Sequence, residues 1–453
     1  MKGSQLKIGV SGVRGIVGES FTPALAADFA AAFGEYVGGG RVLVSRDTRQ
    51  SGEMIEYAVV AGLIAVGCQP VLTGICPTPT LQIAVADSKA SGGVAISASH
   101  NPVEWNALKF IGPQGTFLSE AESSELLDIY NQPDRAWVPE QDYHGIRKME
   151  QAFAKHQERI FSLIDAEAIR SARFKVAIDP VNGVGSIFTR PFLEALGCEV
   201  VSIFDKPDGL FMRPPEPLPP HLAALGESVR ASGACLGFAQ DPDGDRLALV
   251  DKRGMPIGEQ YTLVLAAEHV LSKTPGDVVV NVQTTKAVED LAHAHGCEVN
   301  YSMVGEINVV EAMRSHEAVI GGEGSSGGVI WPALHPCRDS FSAMALILEM
   351  LALRATSLDE ILASLPRYVS RSSKFPCPAE AARDILQGFR ALHPEEDVLL
   401  LDGIRLNIGK SWVLLRASNT EPVLRLTVEA PSEEEAIRLS AKFSAELKAL
   451  HGA

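Results

Sequence analysis

What this chain lacks narrows its class. No apolar run approaches the ~18 residues of a membrane-spanning helix, and the start, MKGSQLKIGV, carries no apolar signal core. Cysteine is present seven times, an odd count scattered without a CxxC pair. That argues against a disulfide framework and for free thiols in a reducing cytoplasm. Positive charge is in short supply: 40 Lys and Arg stand against 56 Asp and Glu, a net −16. The balance excludes a nucleic-acid or anionic-membrane surface as the expected partner, although a local basic pocket remains open. Dinucleotide fingerprints are missing too. GVSGVRGIVG (9–18) does not have the GxGxxG spacing behind a strand, and NGVGSIF (182–188) lacks the third glycine. Both read as tight turns, with Arg14 aimed at an anion.

What is present is the composition of a soluble globular protein. The 453 residues are 46% hydrophobic and 21% charged, enough for several cores and roughly three domains. One pattern repeats. The segments AVGCQPVLTG, EALGCEVVSIF and AHAHGCEVNYSM each end an Ala-rich amphipathic stretch at Gly67, Gly197 or Gly296, with cysteine next. A short apolar run precedes each: RVLVSRD, FKVAIDP and DVVVNVQ. Strand, helix, glycine stop, strand is a βαβ unit with parallel pairing. Three copies imply three α/β domains of similar build. Their cysteines read as small buried hydrophobes. A polar linker at 131–145 leads to an amphipathic helix near 147–163, and further breaks fall near 254–258 and 366–378. The end of the chain reads as a helix (379–391), alternating strands and a charged helix (432–450), a smaller α+β unit. The proline-dense stretch 205–222 reads as a stiff loop. The expected domains are therefore 1–146, 147–255, 256–367 and 368–453.

Four segments carry chemistry. In SASHNPVEWNALKF (97–110), Ser99, His100 and Asn101 follow a strand-like run, Val94 to Ile96, and are stopped by Pro102. A Ser–His nucleophile pair and a polar turn both fit. In QDPDGDRLALVD, Asp241, Asp243 and Asp245 stand two apart around Gly244. Three carboxylates this close need a divalent ion or a strong cation, and oxygen-only ligands favour Mg²⁺ over zinc. An EF-hand is excluded because the twelfth position is Lys252. A solvated acidic turn and a nucleophilic Asp243 of phosphatase type fit the same letters. GGEGSSGGVIWP (321–332) offers Glu323, Ser325 and Ser326 among glycines that permit close approach, which suits sugar hydroxyls as well as a plain turn. In RASNTEPVLR, Arg416 and Arg425 flank Ser418, Asn419 and Thr420, a phosphate nest or a solvated turn.

Taken in order, SGVRG, SASHNP…LKF, DPDGDR, GEGSSGG and RASNTEPVLR resemble the α-D-phosphohexomutase family along the whole chain. GEGSSGG and HPCRD (335–339) are closest to archaeal-type phosphoglucosamine mutase-like members. Ser97 stands where threonine is usual, and VGEINVV (304–310) has Ile307-Asn308 where many bacterial members carry an Arg or His nearby. The resemblance implies three similar α/β domains with mixed, mostly parallel sheets and a smaller α+β domain around a central cleft. It implies a phosphohexomutase that interconverts hexose 6-phosphate and hexose 1-phosphate. Ser99 would be the phosphoserine, and a sugar 1,6-bisphosphate the intermediate. Asp241, Asp243, Asp245 and phospho-Ser99 would hold Mg²⁺. His100 and Lys109 would lie by the transferred phosphate, with Lys109 lowered in pKa for proton transfer. Arg14 and Arg246 would screen charge. Glu323, Ser325 and Ser326 would face the sugar. Arg416, Ser418, Asn419, Thr420 and Arg425 would hold the other phosphate. His335 and Arg338 would face either the cleft or the surface. The expected partner is a small-molecule hexose phosphate, glucosamine phosphate first and glucose or mannose phosphate second, in a cytoplasmic monomer or homodimer. From other classes, a Mg²⁺-dependent sugar phosphatase and a non-catalytic sugar-phosphate-binding protein remain as rivals.

Overall fold

The structure, a computed structural model, describes residues 6–9, 12–394, 397–417 and 422–451. The repeated unit occurs three times. Gly40–Arg46 leads through the helix Gly52–Ala65 to Cys68–Ile75. Lys175–Asp179 leads through Gly185–Ala195 to Glu199–Ser202, and Val278–Asn281 through Lys286–Ala294 to Val299–Ser302. Within each unit the two strands pair in parallel. The helices stop where the sequence says. Gly67, Gly197 and Gly296 sit at φ +80°, +77° and +70°, where a side chain costs roughly 1–2 kcal/mol. Cys68, Cys198 and Cys297 are buried and free.

Parallel ladders form one side of each of these three sheets, and antiparallel strands form the other. Trp105–Ile111 and Gly12–Ile16 extend the first sheet beyond Gly92–Ile96. Leu247–Asp251 lies beside Leu236–Gln240 in the second. Gly328–Trp331 and His335–Arg338 extend the third beyond Ile320–Glu323. The fourth sheet, Val369–Pro376 to Asp397–Leu399, pairs antiparallel throughout. Helices Ala379–Leu392 and Glu433–His451 supply the other half of its core, around Phe389 and Phe443.

Three local expectations change. The glycine-rich N-terminal segment is not a turn at 12–16 but a strand in ladder with Trp105–Ile111. Its glycines serve close approach: a Cβ on Gly12 would stand 2.0 Å from the Leu108 carbonyl oxygen, and one on Gly15 2.6 Å from Ser20 Oγ. The helix expected from 147 begins at Ala152, because Arg147 and Lys148 instead pair with Val71 and Leu72. The break expected at 366–378 contains the edge strand Val369–Pro376, which opens the fourth sheet. The proline-dense 205–222, expected as a loop without regular structure, contains one short helical turn, Pro219–His221.

The first sheet has its own core around Phe29, Phe33 and Phe110. The second and third share one, where Phe192, Phe238, Leu263 and Phe341 are each at most 1% exposed. Burying a side chain of this size contributes about 1.5–3 kcal/mol, so the two sheets are fixed against each other. This brings the loops after Gly92–Ile96 and Leu236–Gln240 and the end of Ile320–Glu323 into contact through Ser99–Asp241 and Asp245–Arg338–Glu323. Sites at the carboxyl ends of strands are the rule for such sheets.

Candidate active site

Ser99 leaves its strand in an unusual backbone state. Its φ is +47°, left-handed for a residue with a Cβ, a conformation that needs surrounding contacts to persist. They are present. The Ser99 N–H donates to Ser97 Oγ at 3.0 Å, and Ser97 Oγ donates to Asp47 Oδ2 at 2.7 Å. Arg49, paired with Asp47, donates Nη2 to the carbonyls of Ser99 at 2.9 Å and Asn101 at 2.6 Å. The backbone is thereby held so that Ser99 Oγ donates to Asp241 Oδ2 at 2.7 Å. His100 Nδ1 is farther away, at 3.5 Å. The hydroxyl is engaged with the carboxylate cluster rather than forming a serine–histidine pair.

The aspartate loop is tightly folded around Gly244, at φ +73°. The N–H groups of Asp245 and Arg246 both donate to Asp241 Oδ1 at 3.1 Å. All three aspartates are at most 1% exposed, so their charges are not screened by water. Burial, then Asp245 and Asp243, push the Asp241 carboxyl well above its ordinary range. Burial acts on Asp243 in the same direction, but Lys109 at 2.6 Å, Asp241 and the Thr78 hydroxyl at 2.9 Å outweigh it and hold Asp243 low. A cation joining the group would offset the repulsion among the three carboxylates. The residues fit one. Asp241, Asp243 and Asp245 offer oxygens all within 4.8 Å of one another. Asp243 Oδ1 and Asp245 Oδ1 are buried with no hydrogen-bond partner among the described residues. An all-oxygen set of this kind suits Mg²⁺.

Cations surround the loop. Arg246 donates Nη1 to Glu216 at 2.8 Å, and its Nε lies 3.8 Å from Asp245. Arg14 reaches Asn101 Oδ1 at 3.5 Å. Burial first, then Arg246, Arg14, Arg338 and Lys109, push His100 well below its ordinary value, so it is neutral at pH 7. The expected lowering of Lys109 is not observed. Burial pushes it down, but Asp243 and Asp245 more than offset this, and the ammonium is retained.

Glu323 ends its strand buried. Its Oε1 accepts from Asn281 Nδ2 at 3.0 Å and from the Gly305 N–H at 2.8 Å, and its Oε2 accepts from Arg338 at 2.8 Å. Ser325 and Ser326 lie half-buried on the short turn Gly324–Ser326, with Ser326 Oγ bonded to the Glu323 carbonyl at 3.0 Å. In the fourth sheet Arg416 stands opposite Arg425, and Arg425 opposite Lys374. Directly opposed side chains share a face, so three cations line up across three strands. Arg416 Nε donates to Asp402 Oδ1 at 2.7 Å. Asp402 Oδ2 also accepts from the Val304 N–H at 3.2 Å, one residue from the Gly305 that holds Glu323. The expected ligands Ser418, Asn419 and Thr420 lie outside the described residues.

His335 and Arg338 are both buried, 6% and 8% exposed, not on the surface. His335 Nε2 pairs with the Gly115 carbonyl at 2.9 Å, and Arg338 joins Asp245, Glu306 and Glu323. Sequence reasoning missed Arg49, Thr78, Glu216 and Glu306. Arg49 alone left a usable signal, a charge placed directly behind the buried strand Gly40–Arg46.

Comparison with known proteins agrees with this arrangement. The phosphoglucomutase/phosphomannomutase α/β/α domains I, II and III match residues 5–137, 152–254 and 258–368, and the C-terminal domain of that family matches 374–446. A probable phosphoglucosamine mutase of Methanopyrus kandleri is 37% identical over 439 residues, 96% of each chain. A phosphoglucomutase/phosphomannomutase of Thermococcus kodakarensis is 36% identical, covering 94% of this chain and 95% of its own. Among solved structures, a phosphoglucomutase/phosphomannomutase family protein from Burkholderia thailandensis superimposes with a TM-score of 0.86 at 28% identity, over 97% of this chain and 96% of that one. With all four domains matched in order and relatives above a third identical over nearly the full length, this chain belongs to the phosphoglucomutase/phosphomannomutase family of phosphohexomutases.

Proposed function

We propose that this chain interconverts hexose 6-phosphate and hexose 1-phosphate by passing a phosphoryl group to and from Ser99, with a sugar 1,6-bisphosphate between the two halves. The observation that carries this reading is the Ser99 hydroxyl, 2.7 Å from Asp241 inside the buried three-carboxylate group. A nucleophilic Asp243 of phosphatase type would leave the Ser99 hydroxyl without a role and would release phosphate without isomerisation, which the rate comparison below distinguishes.

The roles follow from the contacts. Asp241, Asp243 and Asp245, with phospho-Ser99, would hold Mg²⁺, which draws negative charge from a phosphoryl group. Arg49 and Ser97 keep the Ser99 backbone in its strained state, so the oxygen is placed before substrate arrives. Lys109, Arg246 and Arg14 bring positive charge to the transferred group, and neutral His100 can donate or accept a hydrogen bond without adding charge. Glu323 takes a sugar hydroxyl at Oε2. Arg416 and Arg425 hold the phosphate that stays behind, and guanidinium geometry suits either end of the sugar after it turns. For that exchange Arg416 must trade Asp402 for phosphate. Free buried thiols are consistent with a reducing cytoplasm.

Of the sugars, we assign glucosamine phosphate, following the Methanopyrus relative. The test compares rates on glucosamine, glucose and mannose phosphates with Mg²⁺ and a trace of bisphosphate. A preference of about tenfold or more for the amino sugar is expected. Equal or faster turnover of glucose or mannose phosphate overturns the assignment and leaves the mutase reading intact. Net phosphate release without isomerisation overturns both.

A further inference from the structure

Arg338 stands at a position that the proposed chemistry does not use, yet it ties that chemistry together. It closes the strand His335–Arg338, and the next residue, Asp339, caps the buried helix Ser340–Arg354 by accepting from the N–H groups of Phe341 and Ser342, both at 3.0 Å. The guanidinium is therefore fixed at its base. Its three nitrogens go to three different carboxylates. Nη2 donates to Asp245 Oδ2 at 2.5 Å, Nη1 to Glu323 Oε2 at 2.8 Å and Nε to Glu306 Oε2 at 3.0 Å. Glu306 is in turn fixed by Gln82 Nε2 at 3.0 Å.

Which oxygens are taken matters more than how many. By occupying Asp245 Oδ2, Arg338 leaves Oδ1 as the oxygen without a hydrogen-bond partner among the described residues, with only the Arg246 Nε near it at 3.8 Å, and Oδ1 is the one left for the aspartate cluster. Lys109 and Thr78 treat Asp243 in the same way, taking Oδ2 and leaving Oδ1. The same guanidinium fixes Glu323, the carboxylate that would face the sugar. A planar fork can satisfy three acceptors at set angles, whereas an ammonium is a point charge on a flexible stem.

We propose that Arg338 is a positioning residue shared by the metal loop and the sugar loop: it orients Asp245 toward a divalent cation and Glu323 toward the sugar, so both sites depend on one side chain. This rests on the mutase reading above, but its test does not need turnover. Groups that orient metal ligands typically change metal affinity by about 10- to 100-fold when lost.

The experiment titrates Mn²⁺, as a spectroscopic stand-in for Mg²⁺, into full-length protein, and measures KM for hexose phosphate in parallel. Arg338→Lys keeps the charge but not the fork, and is expected to weaken Mn²⁺ about tenfold or more and to raise KM. Glu306→Ala touches neither cation ligand nor sugar. It frees one nitrogen of the fork and is expected to weaken Mn²⁺ about two- to fivefold. If Arg338→Lys melts with wild-type cooperativity and binds Mn²⁺ within twofold of wild type, the proposal is overturned. If Arg338→Lys does not fold, Glu306→Ala decides, and unchanged Mn²⁺ affinity there overturns it equally. Wild-type protein that binds no Mn²⁺ at all would sink the mutase reading itself, a result distinct from either.

Discussion

At the scale of single residues, the site is built by giving each reactive atom a partner on one side and leaving the other side open. Ser99 is the clearest case. Its left-handed φ of +47° is strained, and the contacts that hold it come from Ser97, Asp47 and Arg49 rather than from the Ser99 hydroxyl. This assigns Ser97 a definite task. Ser97→Ala removes a hydroxyl that accepts from the Ser99 N–H and donates to Asp47, leaving two buried groups short of a partner. The expected loss is about 1–3 kcal/mol of stability, together with a fall in kcat. Ser97→Thr keeps the hydroxyl and is expected to match wild type within about 0.5 kcal/mol. Urea unfolding and turnover of the two variants check this, and an Ala variant as stable and active as the Thr one contradicts it. The serine and the three aspartates were legible in the sequence because their chemistry is contiguous: four reactive groups in two short runs. Arg338 was named from the sequence only as facing the cleft or the surface, and the contacts that Arg338 and Arg49 make were not legible, because their partners are remote. Arg338 meets residues 15, 32 and 93 positions away, and Arg49 meets Ser99 across 50. No local spacing encodes such a contact.

At the scale of elements, the helix Ser340–Arg354 shows how one segment links core and site. Its N-terminal cap, Asp339, also accepts from His156 Nε2 at 3.1 Å, and His156 Nδ1 meets Thr80 at 2.9 Å. Its buried Glu349 accepts from His269 at 2.6 Å, from Lys273 at 2.8 Å and from the Asp165 N–H at 2.7 Å. Burial pushes Glu349 up, but His269, Lys273 and the Asp165 N–H outweigh it and bring the carboxyl down to about 2. A carboxyl lower in the folded chain than in the unfolded one stabilises the fold above the unfolded value, near 4.3. That stability is lost as pH falls toward about 2. Glu349→Gln is therefore expected to cost about 1–3 kcal/mol at pH 7 and to flatten the dependence of the urea midpoint between pH 5 and pH 3. Parallel acid limbs for the two proteins would contradict this. The repeat of strand, helix and glycine stop was legible because local periodicity and a positive φ specify it. The strand Gly12–Ile16 was not. Its glycines look like turn residues, and the demand they answer is set by Leu108 and Ser20, whose approach is visible only after folding.

At the scale of the whole molecule, no single sheet holds the proposed site. The first supplies Ser99 and Lys109, the second Asp241, Asp243 and Asp245, the third Glu323 and Arg338, and the fourth Arg416 and Arg425. The shared core fixes the second and third sheets together. The fourth meets the third where Asp402 joins Arg416 to the Val304 N–H and where the Lys286 backbone N–H donates to Glu429 Oε1 at 2.7 Å. The order of the four motifs along the chain was readable, but the way their loops converge is a property of packing. The central claim is that Ser99 carries the phosphoryl group with the help of the aspartate loop. The direct measurement is transfer of labelled phosphate from hexose 1,6-bisphosphate to the purified protein, with and without a chelator, in wild type and Ser99→Ala. The account predicts about one label per chain, located at Ser99, not transferred when chelator is present from the start, and absent in the variant, whose turnover falls on the order of 10⁴-fold. Label on an aspartate, or isomerisation at the wild-type rate by Ser99→Ala, would contradict it.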